Sequence, residues 1–314
     1  MPLAADLSSL PRAAAPGVGE GLTPDPEPRF ASLLAEAWLA DDLAHPHVSG
    51  SNARFWHSDA GKCARVIAYK AAGIEASDPI DLSGINNVRV GSLLHDQWQT
   101  AAVAHYGDKA TVEERVFTLD GDGTGRIDLV VRDDKVTAVE LKSIGGFGYK
   151  SAIGKAARGR PAEGPRSEHL LQAALNGSAI DADEVVVSYL AKEALSVNAA
   201  GGLPEALRFS ADWTFEREVY QPLATLELAR VKGVLDLLDD GLLAARKMPD
   251  LPASAEIVDV TKGRWEQHDS DGKIVDTGTF WACGYCSHRT LCAQTQPGRI
   301  PVEQAVSISV RAVA

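Results

Sequence analysis

Two acids and a lysine in segment 125–142, GRIDLVVRDDKVTAVELK, are the residues of this chain best suited to chemistry. Two runs rich in β-branched residues flank a turn-forming Asp-Asp pair, and this pattern predicts a β-hairpin. Successive side chains of a strand point to opposite faces, so each run separates into an apolar and a charged face. The apolar face of the first run is predicted to hold Ile127, Leu129 and Val131. The charged face carries Asp128, Glu140 and Lys142.

The register of this hairpin follows from its alternation. If the two apolar faces coincide, odd-numbered residues pair with odd and even with even, which favours a three-residue connection at 133–135. Asp128 then lies directly across from Glu140, with Cβ atoms roughly 5 Å apart. Like charges at that separation repel and lose hydration on burial, and a hard cation such as Mg²⁺ resolves the conflict through its oxygen ligands. The alternative is an exposed polar face with no ligand.

Four cysteines form a second set of candidate ligands. Cys283, Cys286 and Cys292 lie in WACGYCSHRTLC, a C-x2-C-x5-C arrangement, and Cys63 lies far upstream. Four thiolates bind either tetrahedral zinc or an iron–sulfur cluster, and in a cytosolic protein we expect metal binding rather than disulfides. A single centre would close a loop of about two hundred residues and clasp the two ends of the domain.

Length and composition limit the class of protein. A chain of 314 residues that is 45% hydrophobic can bury a large core, and no apolar run is long enough to cross a bilayer. Because the N-terminus shows no export signal, we expect a cytoplasmic location. The net charge of −12 argues against a surface that binds nucleic acid throughout.

One stretch of the chain is nevertheless basic. Segment 143–166 carries Lys150, Lys155, Arg158, Arg160 and Arg166 against a single acid. A basic loop beside an acidic site suits the handling of a phosphodiester, because phosphates must be held where carboxylates bind metal. A flexible glycine-rich surface loop has the same composition.

The expected elements place these residues in an α/β domain. Helices are predicted at 29–43, 63–72, 87–105, 167–176 and 216–246, and strands at 111–119 and 184–190 besides the hairpin. This order indicates a mixed sheet flanked by helices. We expect a disordered tail at 1–28, a single domain at 29–296 and a C-terminal tail at 297–314.

Taken together, these motifs resemble the PD-(D/E)XK nuclease superfamily. GSLLH at 91–95 is similar to the family's GxxxH motif, GRID at 125–128 to its GxxD strand, and ELK at 140–142 to its ExK. The cysteine spacing is similar to that of the RecB-like branch, which carries a four-cysteine iron–sulfur cluster and includes CRISPR-associated exonucleases and AddB-type helicase–nucleases. The resemblance covers 52–292 and implies a restriction-endonuclease-like core closed by a metal-cluster clasp.

The resemblance also implies roles for individual residues. The implied ligands of one or two Mg²⁺ or Mn²⁺ ions are His95, Asp128, Glu140 and the backbone carbonyl of Leu141. Lys142 would orient the nucleophile or stabilise the transition state. The implied ligands of a [4Fe–4S] cluster, with zinc as the alternative, are Cys63, Cys283, Cys286 and Cys292. The implied DNA contacts are Lys150, Lys155, Arg158 and Arg160.

Two positions match the family's motifs less closely. Glu114 occupies the place of a further catalytic carboxylate of the family, with Glu113 as the competing choice, since alternation points only one of them inward. Gln172 resembles the start of the family's QxxxY helix motif, but Asn176 stands where the family has tyrosine. That departure bears on substrate contacts more than on metal binding.

The resemblance implies a metal-dependent exonuclease acting on single-stranded DNA or DNA ends in recombination or repair. No GxxxxGK[ST] phosphate loop is present, so a helicase or recombination protein would be a separate partner. Two alternatives stay open: end-trimming of DNA for CRISPR spacer acquisition, and a non-catalytic DNA-binding module with a metal clasp.

Overall fold

The computed structural model describes residues 37–38, 40–41, 52–154, 162–193, 195, 203–248, 251 and 254–313. The chain divides into two compact units, Met1–Pro46 and His47–Ala314. In the first unit, residues 37–38 and 40–41 are helical, within the helix predicted at 29–43. The tail predicted at 1–28 lies outside the described residues.

A mixed sheet of six strands forms the centre of the second unit. The strands are β1 Phe55–Trp56, β2 Ala110–Thr118, β3 Gly123–Arg132, β4 Val136–Ile144, β5 Glu184–Ala191 and β6 Ser210–Glu216. Their order is β1-β3-β4-β5-β6, with β2 paired to β3 along its other edge. The β1–β3 and β4–β5 pairs are parallel, and the remaining pairs are antiparallel. This confirms the predicted mixed α/β architecture.

Helices cover both faces of this sheet. Those of the described residues are α1 Ala64–Ala71, α2 Leu82–Tyr106, α3 Gly146–Ile153, α4 Ser167–Ala179, α5 Arg217–Asp239, α6 Arg289–Ala293 and α7 Val302–Val313. Helix α2 packs on the β2–β4 strands, where Ala102 joins an apolar cluster with Leu129 and Val139. Helix α4 packs on the opposite face and against α5. The hairpin is therefore enclosed between α2 and α4.

The hairpin has the predicted connection. Pairing runs from Leu129–Val139 to Arg132–Val136, which leaves residues 133–135 as the three-residue turn. Its strict alternation, however, is wrong. Ile127 joins the main core together with Val130, whereas Leu129 and Val131 join the α2 cluster. The residues of β3 that face the main core therefore switch from odd-numbered to even-numbered positions at Asp128. Both faces of the hairpin are buried rather than one.

The C-terminal region adds structure that the sequence pattern did not predict. Strands β8 Ala255–Asp259, β9 Arg264–His268 and β10 Ile274–Thr279 form an antiparallel sheet, and β7 Leu242–Leu243 pairs with β11 Ile300–Pro301. The segment predicted to form a C-terminal tail is 297–314. It contributes β11 and α7, and Ile300 and Ala305 pack in the core because burying their apolar surface favours docking over a free tail.

Two buried arginines hold this C-terminal region against the rest of the domain. Arg65 on α1 donates to the backbone carbonyls of Ala244, Gln296 and Gly298. Arg246 donates to the carbonyls of Cys292 and Thr295. Each guanidinium thus donates to more than one backbone carbonyl and links segments that are far apart in sequence.

Candidate active site

The site forms where two strands share one edge of β3. β1 pairs with the first two residues of β3 and β4 with its last four. Within the described part of the chain, residues 125–128 pair with no strand on that edge. The hairpin register, continued by one residue, sets Asp128 across from Glu140. The strands have separated there, and Asp128 Oδ2 instead accepts a hydrogen bond of 2.7 Å from the backbone N–H of Leu141.

Glu140 and Lys142 point from β4 towards α4. Glu140 is only 2% exposed, and its Oε1 lies 2.6 Å from Lys142 Nζ. Lys142 Nζ also donates to Gln172 Oε1 on α4 at 3.0 Å. Gln172 is therefore brought to the site through its contact with the lysine.

Burial and the charge of the partner have opposite effects on the pKa values of Glu140 and Lys142. Burial raises the pKa of Glu140 to about 7; the Lys142 ammonium opposes this shift and the Asp128 carboxylate adds to it. Burial also disfavours the charged form of Lys142, but the carboxylates of Glu140, Asp128 and Glu168 prevail and raise its pKa. A further cation near Glu140 would favour its ionised form.

His95 on α2 reaches the site from the other face of the sheet. Its Nδ1 lies 3.7 Å from Asp128 Oδ1, beyond hydrogen-bonding distance. Across the described residues, no three histidine, cysteine, aspartate or glutamate side chains converge closely enough to form a metal-binding group. The donor set nevertheless fits a hard divalent cation such as Mg²⁺ or Mn²⁺, because its two buried carboxylates offer oxygen ligands, and burial, with the Asp128 charge adding to it, raises the pKa of Glu140.

The two candidate carboxylates on β2 have different surroundings in the structure. Glu114, the predicted residue, is engaged by Arg132, whose guanidinium nitrogens lie 2.7 and 2.9 Å from its carboxylate oxygens. Glu113 pairs with Arg126 and is linked to the site by Gln99, whose Nε2 donates both to Glu113 Oε1 at 2.7 Å and to the backbone carbonyl of Asp128 at 2.9 Å. Glu113 has a φ of +56°, so the regular alternation on which the choice rested fails at this residue.

Sequence reasoning missed His57 and misjudged Asn176. Asn176 is 1% exposed and donates to Glu140 Oε2 at 3.1 Å, while its Oδ1 lies 2.8 Å from His57 Nδ1. A Cβ on Gly125 would lie 2.2 Å from that His57 nitrogen. The glycine of the GxxD motif thus leaves room for both side chains. A lone histidine after a two-residue strand has no spacing signature that would have identified it.

One stripe of α4 faces the site along its length. Glu168, Gln172 and Asn176 are spaced four residues apart and so lie on one side of the helix. Gln172 contacts Lys142 and Asn176 contacts Glu140. This i, i+4, i+8 spacing of polar residues is the signal by which Asn176 could have been found.

The four cysteines line one cavity of about 340 Å³. Cys63 immediately precedes α1, Cys292 lies on α6, and all four are free thiols. Burial raises the pKa of Cys63 to about 11 and that of Cys283 to about 12, and the neighbouring sulfurs add to both shifts. The chemistry of this set of sulfurs fits a thiolate-binding metal or cluster, whose positive charge would favour the ionised thiols.

Of the four predicted DNA contacts, the structure describes only Lys150. Lys150 is partly exposed on α3, and Lys155, Arg158 and Arg160 lie outside the described residues. All four stay predictions. In the part of the chain that the structure describes, no helix has the length and apolar character needed to cross a membrane.

Comparisons with known proteins give only loose likenesses. No family model matches the chain, and no curated protein matches it by sequence. The structure of SSO0001 is similar with a TM-score of 0.40 and 15% identity, covering 66% of this chain and 87% of that one. An alkaline exonuclease from Laribacter hongkongensis has a TM-score of 0.37 and 14% identity, covering 65% and 96%. A phage-related exonuclease from Haemophilus somnus 129PT has a TM-score of 0.38 and 12% identity, covering 56% and 81%. Likenesses this distant carry no argument about function, which must come from the site.

Proposed function

We propose that this protein is a Mg²⁺- or Mn²⁺-dependent DNA exonuclease that hydrolyses phosphodiester bonds at single strands or DNA ends, in recombination or repair. The main support is the meeting of Asp128, Glu140 and Lys142 where β3 and β4 separate. Two buried acids of like charge lower stability unless a cation offsets them, and such pairs are characteristic of functional sites.

In this proposal Asp128, Glu140, His95 and the Leu141 carbonyl hold the metal. A bound divalent ion would supply a lowered pKa for an attacking water and charge neutralisation at the phosphate. Lys142 has a raised pKa and is protonated at neutral pH, so it adds a fixed positive charge. Glu140 and Gln172 both hold that ammonium in place, where it would stabilise negative charge that develops on the phosphate.

The four cysteines are proposed to hold a [4Fe–4S] cluster, with zinc as the alternative. Cys63 begins α1 and the other three lie in the C-terminal region, so a centre there would tie together the elements that Arg65 and Arg246 already connect. Glu168 lines the cysteine cavity and its charge also acts on Lys142. The cluster would thus support the first turn of α4 beside the catalytic lysine.

The nuclease proposal is tested on end-labelled single- and double-stranded DNA with Mg²⁺, with Mn²⁺ and with EDTA. We expect metal-dependent release of label from the wild-type protein, none with EDTA, and a loss of about 100-fold or more in Asp128→Asn and Lys142→Ala. Asp134→Asn, the same change at an exposed acid of the hairpin turn, is the control and should keep full activity.

The outcomes separate the alternatives. Undiminished cleavage by folded Lys142→Ala would remove the lysine from the mechanism. DNA binding without cleavage in any metal would indicate the non-catalytic module. For the cysteines, anaerobic purification followed by iron, sulfide and zinc analysis distinguishes a cluster from zinc, and a protein with neither would refute both.

A further inference from the structure

A directed chain of hydrogen bonds ends on the Glu140 carboxylate. Asn176 Nδ2 donates to Glu140 Oε2 at 3.1 Å and to the backbone carbonyl of Arg126 at 3.4 Å. An amide nitrogen only donates, so these two acceptors fix the orientation of the Asn176 side chain. Asn176 Oδ1 must then accept the 2.8 Å bond from His57 Nδ1.

The same argument determines which ring nitrogen of His57 carries the proton. With its proton on Nδ1, a neutral His57 accepts at Nε2, where the Thr118 hydroxyl lies at 2.9 Å and donates. Burial lowers the pKa of His57 to about 4, in keeping with a neutral ring that has one donor and one acceptor. Thr118, His57 and Asn176 thus form a chain, here called the relay, in which every bond points towards Glu140.

The relay is closed off from solvent. His57 is 0% exposed and Asn176 is 1% exposed, so neither can contact DNA. Apolar side chains of similar size would fill the same space without the need to pair buried polar atoms. Among the described residues, Glu140 is the acid that this polar chain contacts, so its effect on chemistry must pass through that carboxylate.

We propose that His57 and Asn176 are positioning residues that hold the Glu140 carboxylate in the orientation required to bind the divalent metal ion. The inference rests on the proposed function. Lys142 holds Oε1 and Asn176 holds Oε2, so the two donors together fix the plane of the carboxylate. Without the Asn176 donor, both oxygens are free to turn towards Lys142, and the carboxylate loses its defined orientation for a metal.

The test measures Mn²⁺ binding by electron paramagnetic resonance of the free ion, which needs no nuclease turnover. We expect Asn176→Leu, which keeps the side-chain size but removes the donor, to weaken Mn²⁺ binding about 10-fold or more. His57→Ala should do the same. His57→Asn should retain most of the affinity, because its amide nitrogen can replace Nδ1 as the donor to Asn176. Asn86→Ala, at an exposed asparagine of α2, is the control.

Urea unfolding of each variant establishes that it is folded before binding is measured. Equal Mn²⁺ affinity in the wild-type protein and folded Asn176→Leu would overturn the relay alone. So would equal losses of affinity in His57→Ala and His57→Asn, since packing rather than the donor would then be responsible. A wild-type protein that binds no Mn²⁺ would overturn the proposed function, and the relay with it.

Discussion

Adding one methyl group at Gly125 perturbs the candidate site without altering any acid. A Cβ there would lie 2.2 Å from His57 Nδ1 and 2.3 Å from Asn176 Oδ1, well under the 3.0 Å that real Cβ contacts observe. Neither side chain has room to withdraw, because both are buried and each holds a second hydrogen bond. We therefore expect Gly125→Ala to break the bond between His57 and Asn176.

The magnitude follows from two effects. Forcing an extra methyl into closed space costs about 1–3 kcal/mol. A buried polar group left without its partner costs about 1–3 kcal/mol more. Since one hydrogen bond is lost, we expect Gly125→Ala to lower the free energy of unfolding by about 2–6 kcal/mol. That is less than the stability of many domains of this size, so the variant should fold.

Urea unfolding measures the loss, with Gly233→Ala on α5 as the matched control. A Cβ at Gly233 meets nothing within 4 Å, so alanine there should stabilise the helix by about 0.5–1 kcal/mol. Mn²⁺ affinity of Gly125→Ala should fall about 10-fold or more, because Asn176 is displaced from Glu140. A variant as stable as the wild type would refute the packing argument. A destabilised variant with unchanged Mn²⁺ affinity would refute the link from Gly125 to the acid.

Three further predictions concern other parts of the domain. Below about pH 6.5 the unfolded chain takes up a proton at His57, whereas the folded protein accepts it only near pH 4. The free energy of unfolding should therefore fall as the pH is lowered from about 6.5 to about 4. The loss should reach about 2–3 kcal/mol at pH 4.5, and urea titrations of His57→Asn should show most of it removed. Cys63→Ser should reduce bound iron or zinc per protein and slow DNA cleavage, and an unchanged metal content would exclude Cys63 from the centre. Arg65→Met should lower the free energy of unfolding by about 3–5 kcal/mol, because several carbonyls lose their buried guanidinium donor. Thermal melts measure this loss, and Arg115→Met, at an exposed arginine, should change the free energy of unfolding little.

Local pattern was sufficient to predict the hairpin. The two β-branched runs, the Asp-Asp turn and the matching parity of the apolar positions favour a three-residue connection over a two-residue turn, because an odd number of turn residues keeps odd-numbered positions paired with odd. The end of α2 at Gly107 is likewise local, because its φ of +60° suits glycine. These features depend on residues close together in sequence, where periodicity carries the information.

The interior of the site depends on residues far apart in sequence. Glu113 has a left-handed backbone opposite Asp128, and no periodic pattern predicts such a residue. His57 and Asn176 are 119 positions apart and meet only because β1 joins the edge of β3 that β4 leaves free. The choice of Glu114 over Glu113 assumed regular alternation, which does not hold at Glu113.

The motif and the structure suggest different roles for Asn176. Against a QxxxY pattern, asparagine in place of tyrosine suggests a weakened substrate contact. In the structure that position is buried, and its side chain contacts Glu140 instead of open solvent. Helix α4 therefore carries one polar stripe, in which Glu168 borders the cysteine cavity, Gln172 holds Lys142 and Asn176 holds Glu140. Because these three residues move with a single helix, a change at the cysteine centre that shifts α4 would displace the lysine and the acid together.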